Sequence, residues 1–136
     1  MKAAVVNEGS LQIRDVEPPK PSPSEILIQV RACGLNRADS MVASGMAHGS
    51  AGGDGTIPGL EYAGEVVEVG AQVTGLKPGD RVMCNGAAGW AEYATADWSR
   101  AVIIPEGMAW STAATLLTAL LTMHNAMRWT PVIRNG

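Results

Sequence analysis

Asn36 and Asp39 stand three residues apart in the stretch RACGLNRADS, residues 31–40. An amide there offers two N–H donors and a carbonyl acceptor, and the ionised carboxylate only accepts. The same spacing can open a helix, with Asn36 as its N-cap and Asp39 returning to the cap backbone. A second acid, Glu61, lies in PGLEYAG among glycines and apolar residues. A carboxylate in such surroundings needs a partner, and Arg37 and Arg81 are the cations expected to supply one. A structural ion pair is the favoured role for Glu61, with proton transfer as the alternative.

These side chains need a frame. KAAVV, LQIRDV, EILIQVRAC, AGEVVEVG, DRVMCN, WAEYAT and AVIIP are short apolar or alternating runs bounded by turn formers, which predicts strands. Between the second and third, EPPKPSPSE is too rich in proline for helix and predicts an extended crossover. Many short strands punctuated by Gly and Pro argue a mainly β fold with few helices, a sandwich or barrel. One helix is expected from the Asn36 cap to Gly45. A longer one starts near Ser111 and ends before Thr130-Pro131. The longer helix is apolar on several faces, so it expects partners on more than one side. Residues 46–57 form a glycine-rich segment read as a mobile surface loop, with His48 solvated. Its GDGTIP has proline where a third glycine of G-x-G-x-x-G belongs, and no P-loop lysine follows.

Composition narrows the function classes. The chain has 136 residues, 46% of them hydrophobic and 17% charged, with a net charge of −3. That length suits one domain, and the absence of a basic run argues against nucleic acid as a partner. No apolar run approaches the roughly 20 residues of a membrane span, so no membrane partner is expected. Cys33 and Cys84 are the only thiols. Without a secretory signal they read as reduced, in a soluble cytoplasmic protein, and their pairing is the lesser alternative.

The segments MKAAVV, EILIQVRACGLNRAD, IPGLEYAGEVVEVG, LKPGDRV, WAEYA and IPEGMAWSTAATLL follow one another across residues 1 to 127. In that order they resemble the N-terminal, GroES-like (alcohol dehydrogenase-like) catalytic domain of the medium-chain dehydrogenase/reductase superfamily, and within it the zinc-independent quinone oxidoreductases of the zeta-crystallin type. The resemblance implies a partly open β-barrel over residues 1–110. A linking helix over 111–129 would lead to a nucleotide-binding Rossmann domain, and a non-matching tail occupies 130–136. Where zinc-dependent relatives carry Cys, His and a further His, this chain has Asn36, Arg37 and Leu60. An amide is a poor zinc ligand, a guanidinium binds no cation and a leucine has no donor, so no metal is expected.

The resemblance also implies roles. Asn36 and Asp39 would face the nicotinamide as catalytic and cofactor-binding residues, and Thr122 would contribute a hydroxyl to the cofactor; a mid-helix threonine bonding back to a carbonyl is the competing reading of Thr122. The family often has Tyr two residues after the aspartate, and this chain has Met41. The expected activity is NAD(P)H-dependent hydride transfer to a quinone, an enone or a similar activated carbonyl, without zinc. NADPH is favoured over NADH by resemblance alone. No strand followed by a G-x-G-x-x-G fingerprint occurs in these residues, so tight cofactor binding and turnover by this chain alone are not expected. Two other readings stay open: a stand-alone GroES-like binding module, and a homo-oligomer formed through the 111–127 helix.

Overall fold

A computed structural model describes residues 1–49 and 51–129. Seven strands form where the apolar runs predict them: β1 (Lys2–Asn7), β2 (Ser10–Asp15), β3 (Glu25–Cys33), β4 (Glu61–Val69), β5 (Arg81–Asn85), β6 (Tyr93–Asp97) and β7 (Ala101–Ile103). Two α-helices join them, α1 (Arg37–Ala43) and α2 (Trp110–Trp129), with a short 3-10 turn at Trp98–Arg100. The tail at 130–136 lies outside the described residues.

β1 and β2 make an antiparallel hairpin closed by Glu8 and Gly9, both at positive φ (49° and 70°). That backbone suits a two-residue hairpin turn, and Glu8 is held in it by a 2.8 Å bond from its N–H to Asp54 Oδ1. The other five strands form one antiparallel sheet in the order β6-β3-β4-β5-β7. The two sheets do not close on each other, and the result is a mainly β, partly open barrel with a C-terminal helix. The 46–57 segment is more tightly held than a free loop. Val6 N–H donates to the Thr56 carbonyl (2.9 Å), Gly55 N–H to the Val6 carbonyl (2.8 Å), and Thr56 Oγ1 to the Gly52 carbonyl (2.8 Å).

Alternation along β4 and β5 explains how one sheet serves two cores. Tyr62, Val66, Val82 and Cys84 point to one face and pack with Ile26, Ile28, Ala94 and Ala96. Ala63 and Met83 point to the other and receive Ala113, Ala114 and Leu117 of α2. The small residues at 63, 113 and 114 let the helix lie close on the sheet. Beyond Thr118, whose Oγ1 accepts from Asn85 Nδ2 (2.9 Å), Leu120, Leu121, Met123 and Met127 are exposed, so the first half of α2 is anchored and the apolar second half is not. The helix starts at Trp110, one residue before the expected cap Ser111. Arg81 fixes that start by donating to the Met108 carbonyl (2.9 Å) and lying 4.1 Å from the centre of the Trp110 ring. No described helix is long and apolar enough to cross a membrane.

Both cysteines are free thiols. Burial pushes the Cys84 thiol up to about 12. Cys33 is raised as well, by partial burial first and then by the negative charge of Asp39. Thiolate is the reactive form, so both are slow at neutral pH. At pH 8 a thiol reagent is expected to label Cys33 alone in the folded protein, faster as pH rises beyond 9, and Cys84 only after denaturant is added. Rapid labelling of both in native buffer would contradict this packing.

Candidate functional site

Three chain segments meet where β3 ends. Gly34 follows β3, Glu61 opens β4, and α2 passes over both. Gly34 N–H donates to the Glu61 carbonyl (2.9 Å), and Trp90 Nε1 donates to the Gly34 carbonyl (3.2 Å), so the loop carrying Asn36 lies flat against the start of β4. Only glycine permits this approach. A Cβ on residue 34 would stand 2.6 Å from Glu61 Cγ and Oε1 and 2.8 Å from the Ala114 carbonyl oxygen.

Among the described residues, Asp39 and Glu61 are the only charged side chains that are buried, at 2% and 4% exposure. Asn36 bonds to both. Its backbone N–H donates to Asp39 Oδ2 (2.9 Å), and its side-chain Nδ2 donates to Glu61 Oε1 (2.9 Å). Since a carboxylate only accepts, the Glu61 contact fixes which end of the Asn36 amide faces it. Asp39 Oδ1 takes two further bonds, from Gly59 N–H (3.1 Å) and Leu60 N–H (3.0 Å). Glu61 Oε2 accepts from Thr118 N–H on α2 (3.2 Å).

The expected ion pair is not what forms. Neither Arg37 nor Arg81 pairs with Glu61; the ion pairs among the described residues are Lys2–Asp15, Arg31–Glu65 and Lys77–Asp80. Arg37 is exposed on α1, and Arg81 is spent on the Met108 carbonyl and the Trp110 ring. A neutral amide and a helix N–H satisfy Glu61 instead. The carboxylate keeps its hydrogen bonds and gains no neutralising cation.

Glu61 and Asn36 open onto a cleft of about 450 Å³, bordered by Leu35 and Met123 at the rim and by Thr118 and Thr122 along α2. Thr122 Oγ1 donates to the Thr118 carbonyl (2.8 Å), the back-bond of a mid-helix threonine, while its oxygen stays at the cleft wall. Asp39 is not in this lining. Its oxygens face the backbone of residues 36, 59 and 60, so it positions the loop rather than presenting a charge to the cleft. Thr118 and Gly34 are the residues sequence reasoning missed. Thr118 sits one helical turn before Thr122, a spacing that puts the two on one face.

Residues 22–106 match the alcohol dehydrogenase GroES-like domain family, well over half of the chain. The chain belongs to that family. This GroES-like domain, of the medium-chain dehydrogenase/reductase superfamily, is 40% identical over 115 residues to the synaptic vesicle membrane protein VAT-1 homolog of Rattus norvegicus, covering 84% of this chain and 28% of the relative. It is 36% identical over 130 residues to a quinone oxidoreductase of Pseudomonas aeruginosa, covering 93% and 39%. The solved structure of Escherichia coli quinone oxidoreductase complexed with NADPH superposes with a TM-score of 0.83 at 26% identity, over 95% of this chain and 41% of that one. The chain thus spans less than half the length of these relatives.

The donor set does not fit a metal ion. Among the described residues no group of three or more His, Cys, Asp and Glu side chains stands together, and Asn36, Arg37 and Leu60 supply no thiolate or imidazole. A nicotinamide ring fits better. The volume lies within the roughly 300–1,000 Å³ of ligand pockets, and the wall mixes apolar side chains with amide and hydroxyl groups. The lining holds no cation, so it suits the ring end of a dinucleotide and not its phosphates.

Asp39 carries three backbone N–H groups, two of them on the strand-side loop 59–60. Replacing it by Ala is expected to cost about 3 kcal/mol of stability, from buried donors left without an acceptor. Urea unfolding measures this, and a loss under about 0.5 kcal/mol would show that the clamp does not hold the loop.

Proposed function

We propose that this chain is the substrate-side part of an NAD(P)H-dependent oxidoreductase that reduces quinones, enones or similar activated carbonyls without zinc. The observation that carries the reading is the Asn36–Glu61–Thr118 constellation at the floor of a cleft with no metal-ligand set. The quinone oxidoreductase relatives, one of them complexed with NADPH, support it. NADPH, when bound, supplies a hydride from its nicotinamide ring.

The protein's own part is positioning and polarisation. Asn36 gives one N–H of its amide to Glu61, which aims the other N–H and the carbonyl oxygen relative to a fixed wall. A second N–H directed at a carbonyl oxygen stabilises charge developing there, the task a metal performs elsewhere. Leu35 and Met123 shield a planar ring from water at the rim, and Thr122 offers its hydroxyl along α2. Asp39 acts through Asn36, holding the loop so that the amide needs no reorganisation on binding.

The cleft opens to solvent past the exposed Leu35 and Met123. It makes no provision for phosphates, so the 136 residues alone are expected to bind the dinucleotide weakly and to turn over nothing measurable. NADPH oxidation with a quinone by the purified chain would overturn that part. The substrate class is tested by a chimera in which this chain replaces the matching segment of the Pseudomonas aeruginosa quinone oxidoreductase. The chimera is expected to reduce quinones, and Asn36→Ala within it to lower kcat/KM about 100-fold. A folded chimera that binds NADPH yet reduces neither quinones nor enones would refute the assignment.

A further inference from the structure

Glu61 is a buried carboxylate, 4% exposed, whose two oxygens accept from neutral donors only: Asn36 Nδ2 at 2.9 Å and Thr118 N–H at 3.2 Å. No cation pairs with it among the described residues. It lines the cleft, and of all the side chains that do so it carries the only charge. A negative charge taken out of water without a counter-ion is costly, and folds seldom keep one when a neutral residue of the same shape would fill the space. Gln has the same volume but would set its NH2 against one of the two N–H donors, so a carboxylate is retained here as two acceptors and brings a charge with them.

We infer that Glu61 makes the cleft selective for a cationic ring, so that it holds the oxidised, pyridinium form of nicotinamide in preference to the neutral dihydro form. This rests on the proposed nicotinamide-binding role of the cleft and goes beyond it by assigning the charge preference to one residue. In hydride transfer the C4–H bond of the dihydronicotinamide breaks with its electron pair, and a C–H bond forms at the acceptor carbon. The acceptor is reduced, its oxygen takes negative charge and then a proton from water, and the nicotinamide is oxidised to the pyridinium. Glu61 faces the side of this exchange on which positive charge appears. Its field stabilises the ring as the hydride leaves and so favours donation from the reduced cofactor. The carboxylate disfavours an oxyanion on its own wall, which assigns the Glu61 wall to the ring. Asn36, bound to Glu61 by one N–H, orders the boundary between the two.

Two features make Glu61 a fixed electrostatic element. Gly34 packs against its Cγ and Oε1 with no room for a Cβ, and α2 closes the other side through Thr118. A carboxylate held between the 34–36 loop and α2 cannot swing away to find solvent. Coulomb attraction across a partly desolvated cleft then distinguishes a unit positive ring from a neutral one of the same size.

The test uses the whole chain and the two redox forms of nicotinamide mononucleotide, which differ at the ring and share one phosphate. Amide NMR titrations at millimolar concentration report binding at Asn36, Thr118 and Thr122. The oxidised form is expected to bind about fivefold more tightly than the reduced form, and Glu61→Gln to bring the two affinities together. A merely structural role for Glu61 would weaken both forms alike and leave their ratio unchanged, and that result overturns the inference while leaving the cleft a nicotinamide site. Asn36→Ala separates orientation from charge: it is expected to weaken both forms and preserve the preference, and loss of the preference there would also count against Glu61 as its source. If neither form shifts the cleft amides, the nicotinamide reading itself fails, and the inference with it. Circular dichroism of each variant checks that the fold is retained.

Discussion

Everything at this site depends on one asparagine joined to two buried carboxylates. Asn36 gives its backbone N–H to Asp39 and its amide N–H to Glu61, and each acid then ties a different part of the fold. Asp39 reaches the backbone of residues 59 and 60, and Glu61 reaches α2 at Thr118. Three segments distant in sequence, 36–39, 59–61 and α2 at Thr118, are thereby locked around a single side chain. Because the bonds involve charged acceptors in poorly solvated surroundings, each is stronger than an ordinary surface hydrogen bond. The arrangement rigidifies the loop through hydrogen bonds to two carboxylates.

The fold exists to make those bonds possible. β4 has to present Glu61 at its first residue, Tyr62 to one core and Ala63 to the other, a sequence of three side chains with three destinations. Tyr62 anchors this register: its hydroxyl donates to the Thr95 carbonyl at 2.9 Å, and its ring packs where glycines at 86 and 89 leave room. A slip of one residue would turn Glu61 toward the core of Ile26, Ile28 and Val66 and Tyr62 toward the face that meets α2. The alternation of the strand and the chemistry of the site are therefore one constraint.

The seven strands and the α1 cap were legible because they rest on local patterns, period-two alternation and an Asn-x-x-Asp spacing that needs only four residues of chain. The partner of Glu61 was not legible. Charge logic pointed to Arg37 and Arg81, since a buried acid calls for a cation, but the fold satisfies it with donors 25 residues before it and 57 residues after it. Nothing in the local sequence encodes either distance. Asp39 illustrates the opposite limit. Its capping role was visible, whereas its bonds to residues 59 and 60 required the return of the chain past the 46–57 loop. The lopsided burial of α2 was half legible: its apolar character predicted partners on more than one side, and the structure supplies one of them, through Ala113, Ala114 and Leu117.

The absence of ligand-type residues at positions 36, 37 and 60 changes what holds the loop, and with it what the loop can do. A metal ion organises its surroundings by drawing anionic and neutral donors inward, and it presents positive charge to a substrate. Here an amide sits at the centre, and the charge behind it is negative. A carbonyl oxygen gains only a neutral donor from such a site, which is weaker polarisation than a Lewis acid gives. In the proposed role, substrates that need strong polarisation, such as unactivated alcohols and simple ketones, would fit it poorly. Acceptors whose own conjugation spreads the incoming charge, as quinones and enones do, ask little of the donor. In the proposed role, the same negative floor that handicaps the site toward an oxyanion would favour the ring that loses the hydride. In the proposed role, a preference for activated acceptors would follow from the same pair of bonds at Asn36.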